Sequence, residues 1–395
     1  MRKLGAILLG ALLIAFPAAA QTTIYNFKGD PDGAAPVTPL TRDDVGNLYG
    51  TTYTGGTNNG TVFEVNRAGH ETILHTFTGN PDGSAPWGGL VRDLAGNLYG
   101  TTAYGGAFNF GTVFKITEAG VESVLYSFAG PPNDGGNPFA GLILDPEGNL
   151  YGTTLFGGSG DCTASAGQKG CGIVFKISVS GIESVLHNFE GGRDGVYPAS
   201  PLVRDSLGNL YGTTQQGGQA DCSNFTANGC GTVFMLRSDG VETVLHAFSG
   251  YPTDGEYPEG VILVGGNLYG TTEMGGAYSS GTVFEVRGSG SESLLYSFGG
   301  VADDGLNPAA GLLWGGAGHF FGTTMNGGGP GCFNGCGIVF AITKTGKEKT
   351  LFSFSNINVG CIPYAALIQD AAGRLYGTTS NCGTTGNGTV FAVKP

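Results

Sequence analysis

The heptapeptide GNLYGTT occurs five times without change, at residues 46–52, 96–102, 148–154, 208–214 and 266–272. Two altered copies, GHFFGTT at 318–324 and GRLYGTT at 373–379, complete a set of seven. The Gly-Thr-Thr triplets begin at 50, 100, 152, 212, 270, 322 and 377, a period of 50 to 60 residues. A unit that long, written seven times, confines the chain to architectures built by copying one supersecondary element.

The second unit shows the parts. GLVRD (residues 89–93), NLYGTT (97–102), GTVFKI (111–116) and ESVLYSF (122–128) are short, β-rich segments bounded by Gly, Asp or Pro. None has a helical apolar period. We label them strands A, B, C and D. The 75 glycines would suggest disorder in an aperiodic chain, but here they recur at fixed places between strands and read as turn residues. Coils of a β-solenoid are shorter and run parallel, whereas hairpin turns between successive strands point to a propeller of four-stranded blades. The last unit has strand A (364–370), strand B (374–379) and strand C (388–393) but no strand D. A stray D-like segment, TTIYNF, stands at 22–27. The expectation is therefore an all-β, seven-bladed propeller of antiparallel blades, closed by the N-terminal strand completing the last blade. Its blades fall at about 36–77, 86–128, 138–189, 198–248, 258–298, 308–354 and 363–395 plus 22–27. A closed ring exposes only short edges, and a monomer is expected.

Residues 1–20 read as a signal peptide: Arg2 and Lys3, an apolar run over 4–16, and Ala18-Ala19-Ala20 before Gln21. The apolar run is short for a membrane span, so no membrane insertion is expected after signal removal, and the mature chain (21–395) is expected to be secreted or periplasmic. Eight cysteines all follow position 161. Cys162/Cys171, Cys222/Cys230 and Cys332/Cys336 each bracket one loop, which leaves Cys361/Cys382. Export favours disulfides, and no His lies near the pairs to complete a zinc set. The formal charge is −13, or −15 once Arg2 and Lys3 are removed. A surface so acidic repels phosphate backbones, so nucleic acid is not an expected partner.

Most tempting side chains have a framework reading. His75, His187 and His246 occupy one position of strand D, taken elsewhere by Tyr25, Tyr126, Tyr296 and Phe352. That suggests a flat ring for packing rather than a proton shuttle. The glutamates that open strand D (Glu71, Glu122, Glu183, Glu242, Glu292, Glu348) suit the guarding of an outer edge. The D–A and B–C connections should share one face, and that face holds every cysteine. Six D–A loops read D-G-x-x-P, with Asp32, Asp82, Asp134, Asp194, Asp254 and Asp304. A ring of carboxylates could hold calcium, the one ion these residues suggest. The favoured reading is a tight turn with each carboxylate on nearby amides, so no cofactor is expected. Aromatic residues crowd the same loops: Trp87, Tyr104, Phe108, Phe156, Tyr257 and Tyr278 are the ligand-binding candidates. Blade five adds Glu256, Glu259 and Glu273 near Asp254. Of these, Glu256, Glu273 and Asp254 are the weak catalytic candidates, because a glycoside hydrolase needs paired carboxylates.

The linked pattern G-x-E-[ST]-x-L-x-x-F, D-G-x-x-P, G-L-[IV]-x-D-x-x-G-N-L-Y-G-T-T-x-x-G-G and G-[TI]-V-F resembles the tandem repeat of the bacterial GloVer (Gloeobacter/Verrucomicrobia) proteins, from Thr22 to Val393. The resemblance implies an exported repeat protein, often with a C-terminal surface anchor that is not expected here. It implies no activity and no catalytic residues. The preferred expectation is a non-catalytic scaffold whose loop face binds an extracellular glycan, polymer or protein. The alternative is a carbohydrate-active hydrolase or lyase, or a metal-dependent lactonase-type hydrolase, on that face.

Overall fold

The computed structural model describes residues 21–164, 167–218, 222 and 229–395. The signal peptide assigned to residues 1–20 lies outside them. Seven four-stranded antiparallel sheets are present. In blade two the strands are A (Val91–Arg92), B (Leu98–Thr102), C (Thr112–Ile116) and D (Glu122–Ser127). The same A-B-C-D order recurs around the ring. In the seventh sheet the fourth strand is Gln21–Asn26, antiparallel to Thr389–Val393. Thr23 lies opposite Phe391 and Tyr25 opposite Val390, with Ile24 bulged between them. The ring is thus a seven-bladed propeller shut by strands from both ends of the chain.

The repeated letters now have separate jobs. In D-x-x-G-N-L-Y, the Asp closes the A–B turn. Asp93 accepts the Asn97 amide (2.8 Å), the Asn97 side chain (2.7 Å) and the Tyr99 hydroxyl (3.0 Å). Asp43, Asp145 and Asp205 do the same. Blade five has no Asp there, and Glu285 from strand C takes the Asn267 and Tyr269 donors. In Gly-Thr-Thr, the first Thr reaches the next blade: Thr101 donates to the Ala140 carbonyl, Thr271 to Ala310 and Thr323 to Ala365. Thr378 donates to Thr38 (3.2 Å), carrying the pattern from blade seven into blade one. The second Thr meets the Thr of G-T-V-F within its own blade, as in Thr102–Thr112 (2.8 Å).

The core lies between blades, not within them. The Phe that ends each strand D stacks edge-on against the Phe of strand C in the following blade. The seven pairs run from Phe27–Phe63 to Phe354–Phe391, with centroids 4.9–5.2 Å apart. The triplet glycine makes room for this ring: a Cβ at Gly100 would lie 2.6 Å from Cζ of Phe114. Phe114 is fully buried. Phe114→Ala is expected to cost about 3–5 kcal/mol, the range for deleting a buried aromatic ring, as measured by denaturant unfolding.

Candidate functional site

Each D–A loop runs beside the B–C loop of the blade it enters. Ala34 pairs with Thr54, Ser84 with Tyr104, Val196 with Gln216 and Cys361 with Asn381. These loops therefore share one face. The residue before each loop proline is left-handed: Ala35, Ala85, Asn137, Tyr197, Tyr257, Asn307 and Ile362 have φ between 52° and 64°. Residues before proline ordinarily stay extended, so seven equivalent exceptions mark an enforced turn. The proline that follows packs on the glycine of the preceding blade's G-[TI]-V-F, where a Cβ at Gly111 would lie 2.7 Å from Pro138. This clamp delivers the next residue to the propeller axis.

That axial position is Val37, Trp87, Phe139, Ala199, Glu259, Ala309 and Tyr364 in blades one to seven. All seven line one cavity of about 450 Å³, together with residues leading into strand A in each blade. Trp87, Phe139 and Tyr364 form an aromatic crescent. Trp87 lies 5.5 Å from Phe139 and 6.0 Å from Tyr364. Tyr53 backs Trp87 at 4.8 Å. The blade that carries the acid also differs locally from the other units. Blade five has one residue fewer between its loop proline and the strand A residue opposite its GNLY tyrosine, Pro258 to Ile262 against Pro86 to Val91 in blade two. Strands A and B there run on without a break, as Gly255–Val264 and Asn267–Gly275. The ladder slips between Pro258 and Gly260, leaving Glu259 as the bulged residue. Bulges of this kind re-aim a side chain at a sheet rim.

Glu259 is hemmed in by protein yet open to the cavity. Burial, reinforced by the neighbouring Glu273 carboxylate, pushes its acid up to about 8, against the opposing hydrogen bond from Gln215 (3.5 Å). Burial also raises Glu273. Burial and then both acids push the Tyr364 phenol upward, so it stays protonated. Glu259 therefore keeps its proton into the neutral range, and Glu273 is shifted in the same direction.

The structure separates the candidates named from sequence. Trp87 lines the cavity. Glu273 stands beside Glu259 but does not itself line the wall. Tyr104 touches the crescent through Phe139 at 6.3 Å. Phe108 and Tyr278 are exposed on the outer loops, and Phe156 packs on Tyr197 at 5.3 Å. Tyr257 is the left-handed residue before Pro258, with its amide on the Cys230 carbonyl. Asp254 is bound to His246 and to the amides of Ser249 and Gly255. Glu256 is buried and accepts the Tyr251 amide at 2.9 Å. Phe139, Tyr364, Gln215 and Ser200 also line the cavity. Reading down the residue after each loop proline would have found the axial ones, because its type changes from blade to blade while the frame does not.

The Asp-Gly loops fold back on themselves. Asp32, Asp82, Asp134, Asp194, Asp254 and Asp304 accept the amides of Lys28, Thr78, Ala129, Glu190, Ser249 and Gly299, at 2.6–2.9 Å. Each also binds the ring on its own strand D, as in Tyr25 to Asp32 (2.9 Å) or His75 to Asp82 (3.1 Å). The ring position is thus a hydrogen-bonding position, which packing alone does not capture. The one loop without the Asp, 355–363, follows the one ring without a polar atom, Phe352. The strand D glutamates reach these aspartates across the blade gap. Atoms of His75, Asp82 and Glu122, and of His246, Asp254 and Glu292, come within 4.8 Å of one another.

The four disulfides are Cys162–Cys171, Cys222–Cys230, Cys332–Cys336 and Cys361–Cys382, with Cα separations of 5.1–5.3 Å. They suit an oxidising compartment. Among the described residues no helix is long and apolar enough to cross a membrane.

Seven repeated sheets with an axial cavity on the loop face define a propeller whose variable positions converge at its centre. The chain belongs to the Gloeobacter/Verrucomicrobia repeat family, whose sequence model matches residues 5–164 and 222–395. No curated protein matches it in sequence. Among solved structures it is similar to a streptogramin B lyase (TM-score 0.62, 13% identity, covering 95% of this chain and 97% of that one). It is also similar to virginiamycin B lyase from Staphylococcus aureus (TM-score 0.59, 14% identity, covering 95% and 99%). Likeness at that identity speaks to the fold alone.

Proposed function

We propose that this chain is an exported recognition module that seats the end of a glycan in the axial cavity. One observation carries the reading: at the position the fold delivers to the axis, three of the seven sites hold aromatic rings (Trp87, Phe139, Tyr364) and one holds an acid (Glu259). Flat rings receive the C–H face of a sugar, while carboxylate and amide groups bind its hydroxyls. The cavity volume suits a mono- or disaccharide unit. The sequence signal at residues 1–20 and the four disulfides support export. Trp87→Ala is expected to weaken oligosaccharide binding about tenfold or more in isothermal titration, the effect of removing an aromatic platform. Undiminished binding by that variant would place the ligand elsewhere.

A second reading is favoured by the proximity of Glu259 and Glu273. A protonated Glu259 beside a second carboxyl is a pairing that a general acid and a general base require, which suits hydrolysis of the same ligand. Release of reducing ends from a polysaccharide panel, abolished by Glu259→Gln and by Glu273→Gln, would establish it. Binding without turnover supports the recognition module.

A further inference from the structure

The cavity wall is charged at one point only. Among its lining residues there is no Lys, Arg or His, and Glu259 is the sole acid. Glu273 approaches from strand B of the same blade, Gln215 from the end of strand B in blade four, and Tyr364 from the loop entering blade seven. None of these supplies a positive charge. A carboxylate enclosed in this way is costly unless a proton or a cation accompanies it. A second polar group points the same way. Ser200 is buried, lines the cavity and faces Gly260, and its hydroxyl has no protein partner. Buried hydroxyls are ordinarily bonded, and this one is left without a partner behind the cavity wall.

We infer that the cavity selects a glycan end bearing a primary ammonium, with an amino sugar as the ligand class that fits both halves of the wall. The inference rests on the glycan reading above and adds the charge. The ammonium sits against Glu259 and Gln215. The carbon ring lies against Trp87, Phe139 and Tyr364, whose π-systems also favour a nearby cation. A hard divalent cation is served less well. It needs six to eight oxygens, and most of this wall is Ala, Gly, Pro and aromatic carbon.

The free site holds Glu259 largely protonated at neutral pH, and an arriving ammonium takes the proton's place. Binding at neutral pH therefore releases protons, and the measured enthalpy changes with the ionisation enthalpy of the buffer.

The test is titration calorimetry on the mature protein with three tetrasaccharides: glucosamine, N-acetylglucosamine and glucose, each β-1,4-linked. A fourth arm uses calcium chloride. The expected result is a preference of about tenfold or more for the glucosamine form, the effect of one favourable charge contact. It should be accompanied by proton release and lost in Glu259→Gln, whose melting temperature confirms that it folds. Equal binding of charged and neutral sugars overturns the inference and leaves the glycan reading standing. Binding of calcium but of no sugar, or of nothing at all, overturns both. Preference for the amine that survives in Glu259→Gln overturns the assignment of Glu259.

Discussion

A chain that begins at Lys28 is expected to lose its cooperative fold. Removing residues 21–27 takes away the outer strand of blade seven and the ring of Phe27, which lies 4.9 Å from Phe63 in blade one. Phe27 is fully buried, so its loss alone is a large core deletion. The strand adds its ladder to Thr389–Val393, and without it that strand becomes a free edge. The expected outcome is a drop in melting temperature of about 10 °C or more, scaled from the loss of a buried ring plus a strand. Concentration-dependent association through the bare edge should accompany it, visible by size exclusion. A peptide of sequence QTTIYNF added in trans should recover part of the loss. A truncated protein that melts where the full chain does would show that the ring is held by something other than this pairing.

The second large effect is a rise in stability on mild acidification. Burial, followed by the charge of a preceding loop's Asp, pushes Glu71, Glu183, Glu242, Glu292 and Glu348 up to about 7. The partners are Asp32, Asp134, Asp194, Asp254 and Asp304 in turn. Glu122 moves the same way beside Asp82. Lys28 opposes the shift for Glu71, His75 for Glu122, His187 for Glu242, His246 for Glu292 and Thr350 for Glu348. A carboxyl raised in the folded state favours folding fully below its unfolded value, and that contribution is lost as pH climbs through about 7. The A–B turn aspartates work in the other direction. Burial pushes Asp93 up, but bonds from Asn97 and Tyr99 outweigh it and hold it low, so its contribution is lost only in stronger acid. Asp43, Asp145 and Asp205 are lowered in the same way. Stability should therefore peak near pH 5 and decline toward pH 8, by about 5–10 °C in melting temperature for six partly solvated groups. Glu183→Gln, Glu242→Gln and Glu292→Gln combined should flatten that decline by about half. A profile that is level from pH 5 to 8 in the parent protein would contradict the account.

The frame was legible because the physics that makes it is local and repeated. Seven copies of Gly-Thr-Thr, six of them preceded by Leu-Tyr, announce a strand, and the unattached TTIYNF announces closure. What escaped was pairing between copies. His75 and Tyr126 look like packing residues until Asp82 and Asp134, in the loops that follow, are brought beside them. The strand D glutamates look like edge guards until the tilt of one blade against the next lays Glu122 beside Asp82. The site was harder still. Trp87 was visible as a loop aromatic, yet nothing in its own stretch connects it to Tyr364 or to Glu259. The axis alone connects them, and it exists only once the ring is shut. Asp254 and Glu256 drew attention as acids clustered in one blade, whereas of the blade-five acids only Glu259 lines the cavity.

The blade-five bulge has a consequence for how such a protein can change. Blade five is one residue shorter than the other units here and carries a charged group at the centre, yet its sheet stays paired. The other six axial positions stand on identical clamps, and each can be exchanged without disturbing the framework hydrogen bonds beside it. The centre of the disc is therefore a seven-character register, rewritable one character at a time, on which ligand preference can diverge while the rest of the molecule is left alone.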